Sequence, residues 1–192
     1  MAPTNEPTWF RLSYRARYKR LNKVFRKWFS RHHNQEAVRG RTIHLDGSWI
    51  TDVPSFYLSI GEAVNGRDGY FGTSLDALDD CLCGSFGVLP PLTIHLSHYN
   101  RVRAALDCRS WIRFRAEAVR DILECVYTHE ELELLGYDGY FGDCSETDMA
   151  KWKSIYTAAL NCQPFECNGH RVFFDVLLEV LTHRGAILLP DV

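Results

Sequence analysis

Apolar residues recur along this chain in two periods. In WFRLSYRARYKRLNKVFRKWFSRHH, Phe10, Tyr14, Tyr18, Leu21, Phe25 and Trp28 lie three or four residues apart. That spacing draws one apolar stripe along a helix, and Arg and Lys fill much of the remainder. It predicts a basic amphipathic helix over 9–33, after which the polar stretch HHNQEAVRGR reads as a linker.

The body that follows alternates short apolar runs with helical stripes. RTIHLDG predicts a strand ending in a turn. In SWITDVPSFYLSIGEAV, Asp52 suits an N-cap and Pro54 a first turn, and Phe56, Ile60 and Val64 give the inner stripe. GRDGYFG reads as a loop, and TSLDALDDCL as a helix capped by Thr73 or Ser74, with Leu75, Leu78 and Leu82 facing inward. PPLTIHLS predicts a second, buried strand. RVFFDVLLEVL predicts a buried helix stopped at Gly185, and AILLP a third strand. Strands separated by helices indicate an α/β fold with a three-stranded parallel sheet. About 75 residues part the second strand from the last helix, more than one crossover helix needs. Residues 108–169 therefore read as a helical insertion, with helices expected in SWIRFRAEAVRDILECV, HEELELLG and DMAKWKSIYTAAL.

Composition narrows the class. The 192 residues are 46% apolar and 13% aromatic, enough for one packed domain. The seven cysteines form no tight framework, the first residues have no apolar leader, and no run reaches membrane-span length. Reduced thiols in a cytoplasm are the expectation. The net charge of −2 conceals a division: residues 1–41 carry eleven Lys+Arg against two Asp+Glu, or +9, and residues 42–192 carry eleven against twenty-two, or −11. A basic extension and linker (1–41) thus precedes an acidic body (42–192). Such asymmetry bears on partners.

The acids concentrate on one helix. Asp76, Asp79 and Asp80 lie at i, i+3 and i+4, so all three project from nearly one face while the leucines anchor the other. Like charges stacked in this way make physical sense if a cation arrives. The surrounding residues resemble the signature of the barstar family of ribonuclease inhibitors: Tyr70, Phe71 and Gly72, then Leu75, Asp76, Ala77 and Leu78, then Asp80, Cys81, Leu82 and Gly84. The first strand and helix, PLTIHL, and FDVLLEVLTHRGAILL follow the family's order, so the resemblance covers about 42–106 and 170–190.

The resemblance implies a barstar-like protein inhibitor, not an enzyme and without a cofactor, that occludes the active site of a basic nuclease toxin, as an immunity protein does. The nuclease expected is a ribonuclease. Carried over residue by residue, Asp80 matches the family's dominant contact. Tyr70, Gly72, Asp76 and Gly84 match further interface positions, and Glu179 is the counterpart of an acid on the last helix. Asp79 replaces a family tryptophan, turning an apolar anchor into a third acid, and Ser85 replaces a second tryptophan. Glu179 stands six residues before Gly185, where the family has five. These changes point to a different nuclease from the familiar one. The competing class is a binding module with a non-nuclease partner, with arm 1–41 contacting nucleic acid or an anionic membrane. Against both stands the plainer expectation that the arm's aromatic stripe packs on the body and its charges relieve the acidic surface.

Other motifs carry less. DGYFG recurs at 138–142 without the Leu-Asp-Ala-Leu continuation and reads as a turn; the alternative is a second acidic contact through Asp138, Asp143, Glu146 and Asp148. Cys162, Cys167 and His170 fit no standard zinc spacing, and a Mg²⁺ site on Asp76, Asp79 and Asp80 competes poorly with the family reading. His44 and His95 sit in expected strands and read as packed side chains.

Overall fold

The computed structural model describes residues 6–30, 35–84, 86–123 and 172–191. The elements run α1 (Tyr14–Phe29), β1 (Gln35–Arg39), β2 (Thr42–Leu45), a 3₁₀ turn (Gly47–Trp49), α2 (Val53–Asn65), α3 (Leu75–Leu82), β3 (Phe86–Leu89), β4 (Leu92–Leu96), α4 (Tyr99–Ala105), α5 (Cys108–Leu123), α6 (Phe173–His183) and β5 (Ala186–Pro190). The fold is α/β with parallel strands. β2, β4 and β5 form the expected three-stranded parallel sheet, in that order, and His44 stands opposite His95, which stands opposite Leu189.

Three elements depart from the sequence expectation. The stretch read as a linker contains β1, which pairs in parallel with β3, itself unexpected, in a separate two-stranded sheet. Polar composition concealed β1, since its stabilisation comes from backbone pairing and not from an apolar run. α4 follows β4 directly, where no helix was expected. Of the three helices expected within 108–169, the first is present as α5; HEELELLG, DMAKWKSIYTAAL and the second DGYFG lie outside the described residues, as do Cys162, Cys167 and His170.

The core lies on one side of the sheet. Ile43, Leu45, Leu92, Ile94 and Leu96 point into it, together with Phe56, Ile60 and Val64 of α2 and Phe173, Phe174, Leu177 and Leu181 of α6. The opposite face exposes Thr42, His44, Ile187 and Leu189. His44 and His95 stack on that open side with ring centroids 4.7 Å apart, so they pair with each other there and His44 is not packed in the interior.

α1 belongs to the same core. The Ser13 hydroxyl caps it by accepting from the Ala16 amide, and Trp9 in the preceding turn is buried with Tyr14, Tyr18, Leu21, Val24 and Trp28. Burying six such side chains stabilises the attachment by roughly 10 kcal/mol, comparable with the whole stability of a domain. Charge reinforces it. Arg17 donates to Asp52 Oδ2 through Nη2 at 2.5 Å and through Nε at 3.1 Å. Asp52 is buried and also caps α2, accepting from the Ser55 amide at 2.9 Å while the Ser55 hydroxyl accepts from the Asp52 amide. Arg15 pairs with Glu117 and Asp121 of α5, and Arg20 with Asp68. The plain expectation for the basic segment is therefore what the structure shows: its aromatic stripe packs and several of its cations meet acids of the body.

Candidate functional site: an acidic helix with one internal tie

α3 forms because Ser74 caps it, its hydroxyl accepting from the Ala77 amide at 3.1 Å, and because Leu78, Cys81 and Leu82 are fully buried beneath it. Those anchors fix which side faces solvent. Asp76 and Asp80, one turn apart, are exposed, and neither carboxylate makes a hydrogen bond or ion pair with any described residue. Asp76 lies in the first turn, where the helix dipole favours an anion. Asp80, in the last turn, has no help from the dipole, and only the charge of nearby Arg184 offsets its own.

Asp79 behaves differently. Arg184, at the end of α6, donates through Nε to Asp79 Oδ1 at 2.5 Å and through Nη2 to Oδ2. This fork-to-fork pair, aided by the positive charge of Arg184, holds the Asp79 carboxyl below the usual carboxylate range. The guanidinium is correspondingly strengthened as a base by the same bond. The three aspartates that share a face by spacing thus divide, one bonded within the protein and two free for an incoming group. Sequence reasoning missed Arg184. Its only linear signal is a cation at a helix C-terminus, and its approach to α3 is set by the packing of α6.

Glu179 is exposed on α6 and shares with Asp79 a cleft of about 620 Å³ between α3 and α6, also lined by Val180, Thr182 and His183. The Asp79–Arg184 bond spans the same two helices. The structure therefore brings Glu179 beside Asp79 of the acidic helix.

The other positions are structural in their surroundings. Tyr70 is only 2% exposed. Its ring is covered by Phe25 and Phe29 of α1, at centroid distances of 5.4 and 5.8 Å, and by Trp28 and Phe86. Burial raises its hydroxyl pKa, and the nearby Cys81 and Asp80 push in the same direction. Gly72 is buried with φ +94°, and a Cβ there would lie 2.9 Å from Leu78 Cα. The loop can pass under α3 only without a side chain. Gly84 is buried too, with φ +113°. Ser85 lies outside the described residues.

The site is thus a parallel α/β body presenting a short acidic helix with two carboxylates open to solvent. Residues 40–131, a little under half of the chain, match the family model described as Barstar (barnase inhibitor), which supports the resemblance to the barstar family. The match contains β2, α2, α3, β3, β4 and α4 and extends through α5, part of the stretch read as an insertion; α6 and β5 lie beyond it. No curated protein matches the chain, and no solved structure does. Among the described residues no helix is long and apolar enough to cross a membrane, and no group of three or more His, Cys, Asp or Glu is placed to hold a metal.

Proposed function

We propose that this protein neutralises a cytotoxic nuclease, an RNA-cleaving one by family, by seating α3 in its active-site cleft. The observation that carries this reading is the pair of exposed, unpartnered carboxylates Asp76 and Asp80 on a rigidly anchored helix inside the family-matched segment. A nuclease cleft gathers cations to hold phosphates, and carboxylates spaced one helical turn apart can occupy those sites. Long-range attraction speeds the encounter, and desolvated pairs then slow release. Glu179 extends the acidic surface across the cleft, and Gly72 and Gly84 shape the chain at either end of α3. The protein acts in this reading as an antitoxin or immunity protein in the cytoplasm, with no chemistry of its own. Residues 42–192 form the binding domain, with 108–169 inserted in it.

The burial of Tyr70 and the internal bond of Asp79 favour a partner whose contacts differ from those the family pattern implies. A binding module with a non-nuclease partner is the second reading. Capture from native lysate on tagged wild type and Asp80→Ala, followed by nuclease assay of the eluates after denaturation and refolding, separates the two. The proposal expects nuclease activity with wild type and its loss with Asp80→Ala at unchanged far-UV circular dichroism. Equal capture by both would place the binding surface elsewhere.

A further inference from the structure

β5 is an outer strand of the three-stranded sheet, and among the described residues only β4 pairs with it. An outer strand presents unpaired backbone groups, which folded proteins usually guard with charge, proline or a covering segment. β2, at the opposite edge, carries the polar Thr42 and His44 exposed. β5 reads AILLP, without a polar side chain, and exposes Ile187 by 50% and Leu189 by 41%. Its one guard is Pro190, at the last position.

The register fixes which backbone groups point outward. Asp191 donates its amide to the Leu96 carbonyl at 3.0 Å, and in a ladder alternate residues turn to the same neighbour. Ile187 and Leu189 therefore bond towards β4. The N–H and C=O of Ala186 and Leu188, and the C=O of Pro190, point away from the sheet. Leu188 lies on the helix side and is half-buried, whereas Ile187 and Leu189 stand on the open face.

Both alternations fit an antiparallel copy of the same strand. With a two-fold axis through Leu188, its N–H and C=O meet those of the second copy's Leu188, and each Ala186 N–H meets the other copy's Pro190 carbonyl. Ile187 then stands opposite the second copy's Leu189, at the non-hydrogen-bonded position where Cα atoms approach to about 4.5 Å and apolar side chains pack best. The charges at the ends agree as well. Asp191 of each copy comes opposite Gly185 of the other, next to Arg184. Parallel pairing would instead set Asp191 against Asp191.

We infer that the β5 edge is a self-association surface, on which a second copy of this chain pairs antiparallel about Leu188 and packs its Leu189 on Ile187. The interface is isologous and closes at two copies, because each copy's β5 is then occupied. The strand is short and falls below the roughly 800 Å² per partner of a standard stable complex, so the dimer is weak and depends on concentration. The contact involves no nuclease and stands apart from the inhibitor reading.

Sedimentation velocity of the purified full chain tests it, from about 10 µM to about 1 mM, the span in which weak complexes form. The weight-average mass should climb from monomer towards dimer and no further. Ile187→Lys/Leu189→Lys sets like charges opposite each other across the axis and should weaken association at least about tenfold. Both side chains are exposed, so the thermal midpoint should hold. Amide exchange on wild type needs no substitution: Ala186 and Leu188 should gain protection as concentration rises, while Ile187 and Leu189, bonded to β4, are protected throughout. A monomer at every concentration, or a dimer that the lysines leave intact, would overturn the inference. So would a Leu188 amide already protected in the monomer, which would mean that another part of the chain covers the edge, or growth beyond the dimer, which would mean open aggregation.

Discussion

Arg184 grips Asp79 with both arms of its guanidinium, so of three aspartates on one short helix only Asp76 and Asp80 remain available. The pair joins the acidic helix to the end of α6, beside the cleft that holds Glu179. Its pH behaviour follows from the sign of the shift. The folded carboxyl is held below the ordinary aspartate value of about 3.9. The bond therefore contributes fully above that value and is lost as pH falls through the lowered one. A carboxyl NMR titration should find Asp79 as a low outlier, and Arg184→Met should return it to the ordinary range. A midpoint indifferent to Arg184 would contradict the tie.

Gly72 matters to α3 for steric reasons. Gly72→Ala brings a Cβ to 2.9 Å from Leu78 Cα at a φ of +94°, and we expect a loss of roughly 1–3 kcal/mol. Gly40→Ala is the control: its φ is +73° but nothing lies within 4 Å of the added carbon, so only the backbone cost of about 1 kcal/mol applies. Denaturant midpoints of the two variants should rank in that order, and equal losses would show that the loop yields freely beneath α3.

Asp52 serves two helices at once. Asp52→Ala removes the cap of α2 and leaves the Arg17 guanidinium, almost wholly buried, without its carboxylate. Stranding one partner of a buried pair costs about 3–5 kcal/mol, which in a chain of this size lowers Tm by roughly 10 °C. A shift of only one or two degrees would mean that the Arg17–Asp52 pair contributes little to holding α1.

Cys81 and Cys83 stand two residues apart in opposite environments. Cys81 is buried, and its thiol pKa is driven up by burial and by neighbouring Asp80; Cys83 is exposed. Under native conditions iodoacetamide should label Cys83 and spare Cys81, as read by peptide mass spectrometry. Labelling of both at similar rates would show that α3 opens readily, which is at odds with a rigid presenting helix.

Much of this architecture is legible in the sequence. The stripes of Phe56, Ile60 and Val64 and of Leu78 and Leu82, the cap at Asp52 and the stop at Gly185 all follow from local chemistry. Local pattern also places the three parallel strands. β1 was hidden because its partner β3 lies some fifty residues away and its own residues are mostly polar. The candidate site was proposed from sequence as a set of residues, and its arrangement could not be read there. Spacing puts Asp79 with Asp76 and Asp80, whereas its pairing depends on where α6 ends. Tyr70 carries an interface signature in the linear motif, yet it is covered by Phe25, Trp28 and Phe29, from a helix whose docking no local pattern specifies.

The most direct test of the central claim is a titration of the captured nuclease with this protein, following residual activity on a fluorogenic RNA. Wild type, Asp80→Ala and Asp79→Ala are compared at equal concentration. The account predicts stoichiometric inhibition by wild type, a large loss of potency with Asp80→Ala and a much smaller one with Asp79→Ala, whose carboxylate is already occupied by Arg184. Equal potency of wild type and Asp80→Ala, or a greater loss with Asp79→Ala, would contradict it.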